Sequence, residues 1–259
     1  MNLAAEIALA HRLADAAREA IRPHFREPVV AERKADATPV TIADHAAEEA
    51  MRRILTAEMP HDGVQGEEFG ASEGRSGRQW VLDPIDGTKA FLAGRPIFGT
   101  LIGLVAGGFP VMGVIDQPIL GERWLGVAGR QTTLNGKPVH ARACRELADA
   151  TLATTGPQYF THEEGDQFMA LAKKTDHKRM VMGGDCYNYA MLATGFIDVV
   201  CESGLKLHDF AALVPVVEGA GGTMCDWNGE PLHAGSAGHV LAIGDPARLE
   251  DVLAALGGH

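Results

Sequence analysis

The spacing of apolar residues changes twice along the chain, and these two changes restrict its fold more than any other feature. Leu3, Ile7, Ala10, Ala14, Ala17 and Ile21 recur at helical spacing, and Pro23 ends the run. A second helical stripe begins near Thr41, whose hydroxyl suits an N-cap, and passes through Ala43, Ala47, Ala50, Ile54 and Leu55 to Pro60. The polar stretch 32–39 between them reads as a loop. Beyond residue 60 the period falls toward two. Segments 64–67 and 79–83 predict strands on either side of a flexible stretch, 70–77. A short helix follows Thr88 and stops at Gly94. From Phe98 to Val139 apolar strands are broken at Gly107-Gly108, at 118–121 and at Asn135-Gly136, the last a hairpin signal.

After about residue 145 strand and helix alternate. Strands are expected at 151–155, 179–182, 196–201, 222–226 and 240–243, and helices at 165–174, 187–194, 209–218 and 246–256. Two helices followed by an antiparallel sheet make an α+β first half, residues 1–145, that carries the acidic motif described below. Residues 146–259 form an α/β half that completes the site. The boundary is soft, because both halves can share one core. There is no solenoid-period repeat and no low-complexity tract.

The 259 residues, 46% of them apolar, are enough to bury a core without disulfides or a structural metal. A net charge of −11 repels phosphate backbones and anionic membranes, so neither nucleic acid nor a membrane is expected as a partner. Cys144, Cys186, Cys201 and Cys225 form no CxxC pair and have no histidine at zinc-ligand spacing. Buried thiols in a reduced, cytoplasmic protein account for them. Glu6, His11, Arg12, Asp15 and Arg18 interrupt any signal-peptide apolar region, and no later apolar run is long enough to span a bilayer.

The sharpest motif is Trp80-Val-Leu-Asp83-Pro-Ile-Asp86-Gly-Thr88. An apolar strand delivers Asp83, because the residue before a proline is driven extended and Pro84 cannot continue a central ladder. The chain then turns to bring Asp86 toward the same cavity. Gly87 permits close backbone approach, and Thr88 opens a helix. Hard carboxylate oxygens beside a helix N-terminus suit a magnesium ion with a phosphate. The structural alternative is a strand-to-helix turn in which Asp86 and Thr88 only cap the helix. Gly66-Glu67-Glu68, at the end of the preceding strand, adds a carboxylate at the same sheet edge.

Taken with Asp209 at the head of a helix that ends in Glu218-Gly-Ala-Gly-Gly222, these motifs resemble the inositol monophosphatase superfamily over nearly the whole chain. The resemblance implies an α/β/α/β/α layered sandwich, usually a homodimer. It places a first magnesium on Glu67, Asp83 and the Ile85 carbonyl, a second on Asp83, Asp86 and Asp209, and a third near Glu67 through waters. It puts phosphate on the N–H groups of Gly87 and Thr88, and it has Asp44 with the Thr88 hydroxyl orient or deprotonate the attacking water. No phosphoenzyme is implied. Each residue has a plainer reading. Asp44 and Asp209 suit the first turn of any helix, Glu68 suits the surface, and a loop lysine such as Lys34 is usually solvated. No histidine is expected as a ligand to so hard a metal.

Two departures separate this chain from inositol phosphatases. Lys89-Ala90 follows Thr88 where threonine and asparagine are usual, and His208 precedes Asp209 where tryptophan is usual. Gly183-Gly-Asp185-Cys-Tyr187 and the stretch 202–212 look instead like the histidinol-phosphate phosphatase branch. Acids at Asp185 and Glu202, with Asp209, suit a substrate tail carrying an ammonium and an imidazole. The plainer reading has Asp185 cap the next helix and Glu202 accept from nearby hydroxyls. The rivals are an inositol monophosphatase, a broad sugar or nucleotide phosphatase, or a non-catalytic binding member. A bisphosphate substrate would want extra cations, for which Lys89, Arg95 and Arg179 are the candidates. A non-catalytic member would have lost some of Asp44, Glu67, Asp83, Asp86, Thr88 and Asp209, and all six are present.

Overall fold

A computed structural model describes residues 3–27, 32–33, 39–176 and 178–257. Helices α1 (Ala4–Ile21) and α2 (Ile42–Glu58) pack on each other. Their buried stripes include Leu9, Leu13 and Ala17 on one and Ala47, Met51 and Leu55 on the other, as the helical spacing predicts. Pro23 falls in a single 3₁₀ turn after α1. Thr41 caps α2: its hydroxyl accepts from Ala43 N at 3.2 Å while Asp44 accepts from Thr41 N at 2.8 Å. The loop expected at 32–39 contains a two-stranded antiparallel ribbon, β1 (Glu32–Arg33) and β2 (Pro39–Val40). Lys34 lies outside the described residues.

The first large sheet is built from β3 (Gly63–Gly66), β4 (Gly70–Ser72), β5 (Arg78–Asp86), β6 (Gly99–Ala106), β7 (Phe109–Gln117), β8 (Glu122–Val127), β9 (Thr133–Leu134) and β10 (Lys137–Pro138), with α3 (Thr88–Leu92) between β5 and β6. Its strand order is β10-β9-β8-β7-β6-β5-β3-β4. The pair β3–β5 is parallel and the other pairs are antiparallel. β4 occupies the start of the stretch expected to be flexible, because Gly70, at φ 69°, folds the chain back so that Gly70 pairs with Gly66.

The second sheet takes β11 (Leu152–Thr154), β12 (Val181–Met182), β13 (Val199–Glu202), β14 (Thr223–Cys225) and β15 (Val240–Ile243), in the order β12-β11-β13-β15-β14. Its helices are α4 (His162–Ala172), α5 (Cys186–Ala193), α6 (Leu207–Phe210), α7 (Leu213–Gly219) and α8 (Leu249–Leu256). The helix expected at 209–218 starts two residues earlier and is broken in two. Pro215 cannot donate to the carbonyl four residues back, so α6 and α7 are separate.

Five layers result. Helices α1 and α2 bury Leu13 and Met51 against Trp80, Leu82 and Leu104 on one face of the large sheet. Its other face, through Leu101, Ile115 and Trp124, meets Tyr189 of α5 and Val216 of α7, which also pack on Val200 and Ala242 of the second sheet. The far face of that sheet holds α4 and α8 through Phe168, Leu171 and Val252. The fold is the α+β layered sandwich, α/β/α/β/α, expected from the sequence. Among the described residues no helix is long and apolar enough to cross a membrane.

The two middle layers meet at a row of glycines. Gly103 pairs with Gly113, and Gly113 with Gly126, across β6, β7 and β8. Strand alternation turns all three toward α6 and α7. A Cβ at Gly113 would lie 1.9 Å from the Ala212 carbonyl oxygen, and one at Gly126 would lie 2.2 Å from that of Pro215. At Gly103 the nearest atom, in Ala211, is 3.1 Å away. Backbone contacts of this kind cannot be relieved by a rotamer change. Gly113→Ala is therefore expected to lose about 1–3 kcal/mol or more in urea unfolding, and Gly103→Ala less. Equal midpoints for Gly113→Ala and its parent would mean that the α6–α7 segment is not seated on this row.

Candidate active site

Asp83 and Asp86 are three residues apart on β5, a spacing that puts side chains on opposite faces of a regular strand. β5 is not regular there. It pairs with β6 at Asp83–Leu101 and again at Asp86–Gly99, so Pro84 and Ile85 stand opposite Thr100 alone. This bulge adds the one residue needed to bring both carboxylates to one side. Thr100 Oγ1 donates to the Pro84 carbonyl at 2.8 Å and fixes the bulge. The strand was expected to end at 83. It continues to Asp86 because the N–H that proline lacks falls where the ladder is already interrupted.

Gly87, at φ 89°, then turns the chain into α3, and the Thr88 hydroxyl donates to the Ile85 carbonyl at 3.1 Å. Asp209 arrives on α6, where its Oδ2 accepts from Lys206 N at 2.6 Å. One carboxylate oxygen from each of Asp83, Asp86 and Asp209 lies within 4.8 Å of the others. Glu67 follows β3, held by its N–H to the Leu82 carbonyl at 3.1 Å, and lines the same cavity.

Burial, followed by the negative charges of Glu67, Asp86 and Asp209, pushes the Asp83 carboxyl well above the usual carboxylate range. Burial, followed by Asp185 and Asp209, does the same to Asp86. Asp209 is raised by burial, against the pull of His208. Asp83 Oδ1 is buried with no hydrogen-bond partner. Crowded, partly unsatisfied, all-oxygen donors of this kind fit a hard divalent cation. His208 Nε2 stands 3.5 Å from Asp209 Oδ1, outside the three-carboxylate group.

Asp44 is fully buried. Its Oδ2 accepts from Thr41 N and, at 2.5 Å, from Thr41 Oγ1, while Oδ1 has no partner. Burial raises its pKa against those two bonds. The expected partnership with Thr88 is not a direct hydrogen bond here, since the Thr88 hydroxyl is given to Ile85.

The cavity shared by Glu67, Asp83, Asp86 and Asp209 has a volume of about 300 Å³, and Asp44 is not among the residues that line it. Asp185 and Glu202 line the same cavity, and Asp185 lies beside the cluster: a Cβ at Gly87 would be 2.9 Å from its Oδ2, and its charge acts on Asp86. Asp185 occupies the N-cap position of α5 but makes no capping bond. Asp86 takes that role, accepting from Cys186 N at 2.5 Å. Asp185 also has φ 44° and ψ −131°, a conformation that favours glycine, and it follows Gly183 and Gly184, both at positive φ. Burial lifts its carboxyl to about 6, with Lys89 and Arg95 pulling it down. Glu202 Oε1 accepts from Thr155 N at 2.7 Å and from Thr155 Oγ1 at 2.9 Å, so hydroxyl acceptance is part of its role. Burial pushes Glu202 up to about 8.

The mouth holds a contact that the sequence does not announce. Lys89 bonds the Tyr159 hydroxyl and lies 4.4 Å from the ring centroid. Tyr189, also unforeseen, lines the cavity with a buried hydroxyl that has no partner. Arg179 does not reach the site, because Asp176 and the Asp149 carbonyl hold it elsewhere.

Groups with raised folded-state pKa values keep protons that the unfolded chain has already released, so stability falls as pH rises from the ordinary carboxylate range through the folded value. The cation-free protein should therefore melt higher near about pH 5.5 than near about pH 8, the upper edge being set by Glu202. Asp83→Asn should melt above its parent at the higher pH and lose most of the stabilisation given by added magnesium. An Asp83→Asn variant that melts below its parent without cation and still gains fully from magnesium would overturn this account of the cluster.

Residues 2–256 match the inositol monophosphatase family. The chain is 50% identical over 225 residues to the bifunctional phosphatase IMPL2, chloroplastic, of Arabidopsis thaliana, covering 86% of this chain and 64% of that longer protein. It is 39% identical over 246 residues to the histidinol-phosphatase of Streptomyces coelicolor, covering 90% of this chain and 91% of that one. An inositol monophosphatase structure from Zymomonas mobilis superposes with a TM-score of 0.92 at 50% identity, over 99% of both chains. Fold, cluster and likeness agree: the chain belongs to the inositol monophosphatase family of phosphoric monoester hydrolases.

Proposed function

We propose that the protein hydrolyses L-histidinol phosphate to L-histidinol and phosphate, using magnesium. The observation that carries this reading is that two further acids, Asp185 and Glu202, line the small cavity that holds the carboxylate cluster. With Glu67, Asp83, Asp86 and Asp209 assigned to cations, Asp185 and Glu202 are the acids left on the lining for the tail of the ester. A cavity of about 300 Å³ is at the small end of ligand sites, which suits a compact monoester. The relatives named histidinol-phosphatase support the same substrate.

In this reading Glu67, Asp83, the Ile85 carbonyl, Asp86 and Asp209 hold two to three magnesium ions. Bound there, magnesium supplies positive charge against the phosphoryl oxygens and acidifies the attacking water. The N–H groups of Gly87 and Thr88 hold phosphate oxygens. Asp44 Oδ1, buried and unpartnered, is the acceptor for the water's proton, and Thr88 orients that water. Asp185 and Glu202 take the substrate's ammonium and imidazole, and Asp209 contacts the tail from the cluster side. The protein is further read as a cytoplasmic homodimer, an assembly implied by the family likeness.

A second reading, inositol monophosphate as substrate, is favoured by the likeness to the Zymomonas mobilis inositol monophosphatase structure. Phosphate release from histidinol phosphate, inositol phosphate and adenosine 3′,5′-bisphosphate separates the two, with histidinol phosphate expected to be the best substrate. Asp185→Asn and Glu202→Gln should each raise KM for histidinol phosphate by roughly one to two powers of ten, from a charge-assisted bond of about 1.5–3 kcal/mol. Glycerol phosphate should be affected little. Burial, and beyond it the charge of Asp185, oppose the ionisation of Glu202. The KM for histidinol phosphate should therefore fall as pH rises toward about 8 and Glu202 ionises, and Glu202→Gln should flatten that profile. Parallel losses on both esters would assign the acids to the fold and remove histidinol phosphate as the proposed substrate.

A further inference from the structure

The turn that presents Glu67 is held from beneath by a carboxylate that the cluster does not use. Glu48 stands on α2 one turn beyond Asp44, on the buried stripe with Ala47 and Met51, and is itself fully buried. Its Oε2 accepts from Glu68 N at 2.7 Å and its Oε1 from Phe69 N at 3.2 Å. Together with the bond from Glu67 N to the Leu82 carbonyl, three successive amides are tied down. Gly66 is what admits the carboxylate, since a Cβ there would lie 1.8 Å from Glu48 Oε1. The Gly66-Glu67-Glu68 motif thus has a physical reading: a missing side chain, a side chain presented to the cavity, and an amide given to Glu48.

The charge of Glu48 is met locally. Arg52, four residues on, donates through Nε to Glu48 Oε1 at 2.6 Å and through Nη2 to the Gly70 carbonyl. One face of α2 therefore carries Asp44, Glu48 and Arg52 at successive turns. The last two close a clamp over residues 66–70, with no uncompensated charge added near Asp83. Such a clamp matters because Glu67 is brought toward other negative groups. Its charge raises the carboxyls of Asp83 and Asp44, and an untied turn would relax away from them.

We infer that Glu48 is a positioning residue for Glu67, fixing the turn so that the Glu67 carboxylate is preorganised for a divalent cation, with Arg52 as its counter-charge. This rests on the reading that Glu67 is a cation ligand. Partners that orient ligands in this way typically contribute a factor of 10–100 in metal affinity or activity.

The test is a calorimetric titration of the metal-free protein with magnesium, run on the parent, Glu48→Gln and Glu67→Gln, beside steady-state kinetics on the same samples. Glu48→Gln keeps the volume but sets an amide NH₂ against a backbone N–H, donor against donor. It is expected to weaken magnesium binding by about 10–100-fold and to raise the magnesium needed for half-maximal rate by the same factor. At saturating magnesium, kcat should return to within about threefold of the parent, with KM for the ester unmoved. General damage to the fold would not be repaired by excess cation. If Glu67→Gln binds magnesium weakly while folded Glu48→Gln binds it like the parent, the positioning role is overturned and Glu67 stands. If Glu67→Gln also binds like the parent, the ligand reading itself fails, and the inference falls with it. Should Glu48→Gln not fold, Arg52→Gln, which leaves the carboxylate in place but loosens it, decides by the same titration. Weakened binding supports the clamp, and parental binding overturns it.

Discussion

The Ala212 carbonyl sits where the Cβ of any other residue at position 113 would be, and the geometry of the molecule depends on that contact. A helix laid on a sheet through ordinary side chains is held away by them. Here Gly103, Gly113 and Gly126 remove the side chains along one line across three strands, and the 211–215 backbone settles into the gap. Asp209 stands just before that segment and Asp83 lies on the same face of the neighbouring strand, so the depth of the helix layer sets the distance between the two carboxylates. The two carboxyls come together because packing elsewhere in the sandwich holds both elements fixed.

Two further devices act on the same cluster from other directions. The bulge at Pro84 and Ile85 changes the parity of β5, bringing two acids to one side where a regular strand would separate them. The capping bond from Cys186 N to Asp86 ties the start of α5 to the end of β5. One carboxylate thereby serves the cluster and also anchors the helix preceded by Asp185. Asp86 and Asp185 are thus mechanically joined although about a hundred residues separate them in the chain.

What the sequence disclosed and what it withheld follow from where each signal resides. The Asp83 to Thr88 turn is readable because proline and glycine act locally. The run Val240 to Ile243 is readable to the residue because glycines at 238 and 244 flank it. α4 starts at His162 rather than 165 because Thr161 and Glu164 form a capping box, a local signal that the apolar pattern hid. The glycine row could not be read in advance. Residues 103, 113 and 126 align only once strand register is known, and nothing in a linear pattern links them. Glu48 was hidden for the opposite reason: an acid within a helix suggests a solvated face, and only the depth of α2 on the sheet shows that it is buried. Tyr189 and the contact between Lys89 and Tyr159 depend on tertiary convergence alone.

Asp185 keeps a backbone shape that glycine would adopt at no cost, directly after two glycines that do adopt it. Mutation under pressure for stability alone would be expected to reach glycine there, because the change is local and relieves strain. The strain is held in place by the elements on either side of it, the Gly183-Gly184 turn and α5. The carboxylate at position 185 is carried at a cost in stability that a glycine would not incur.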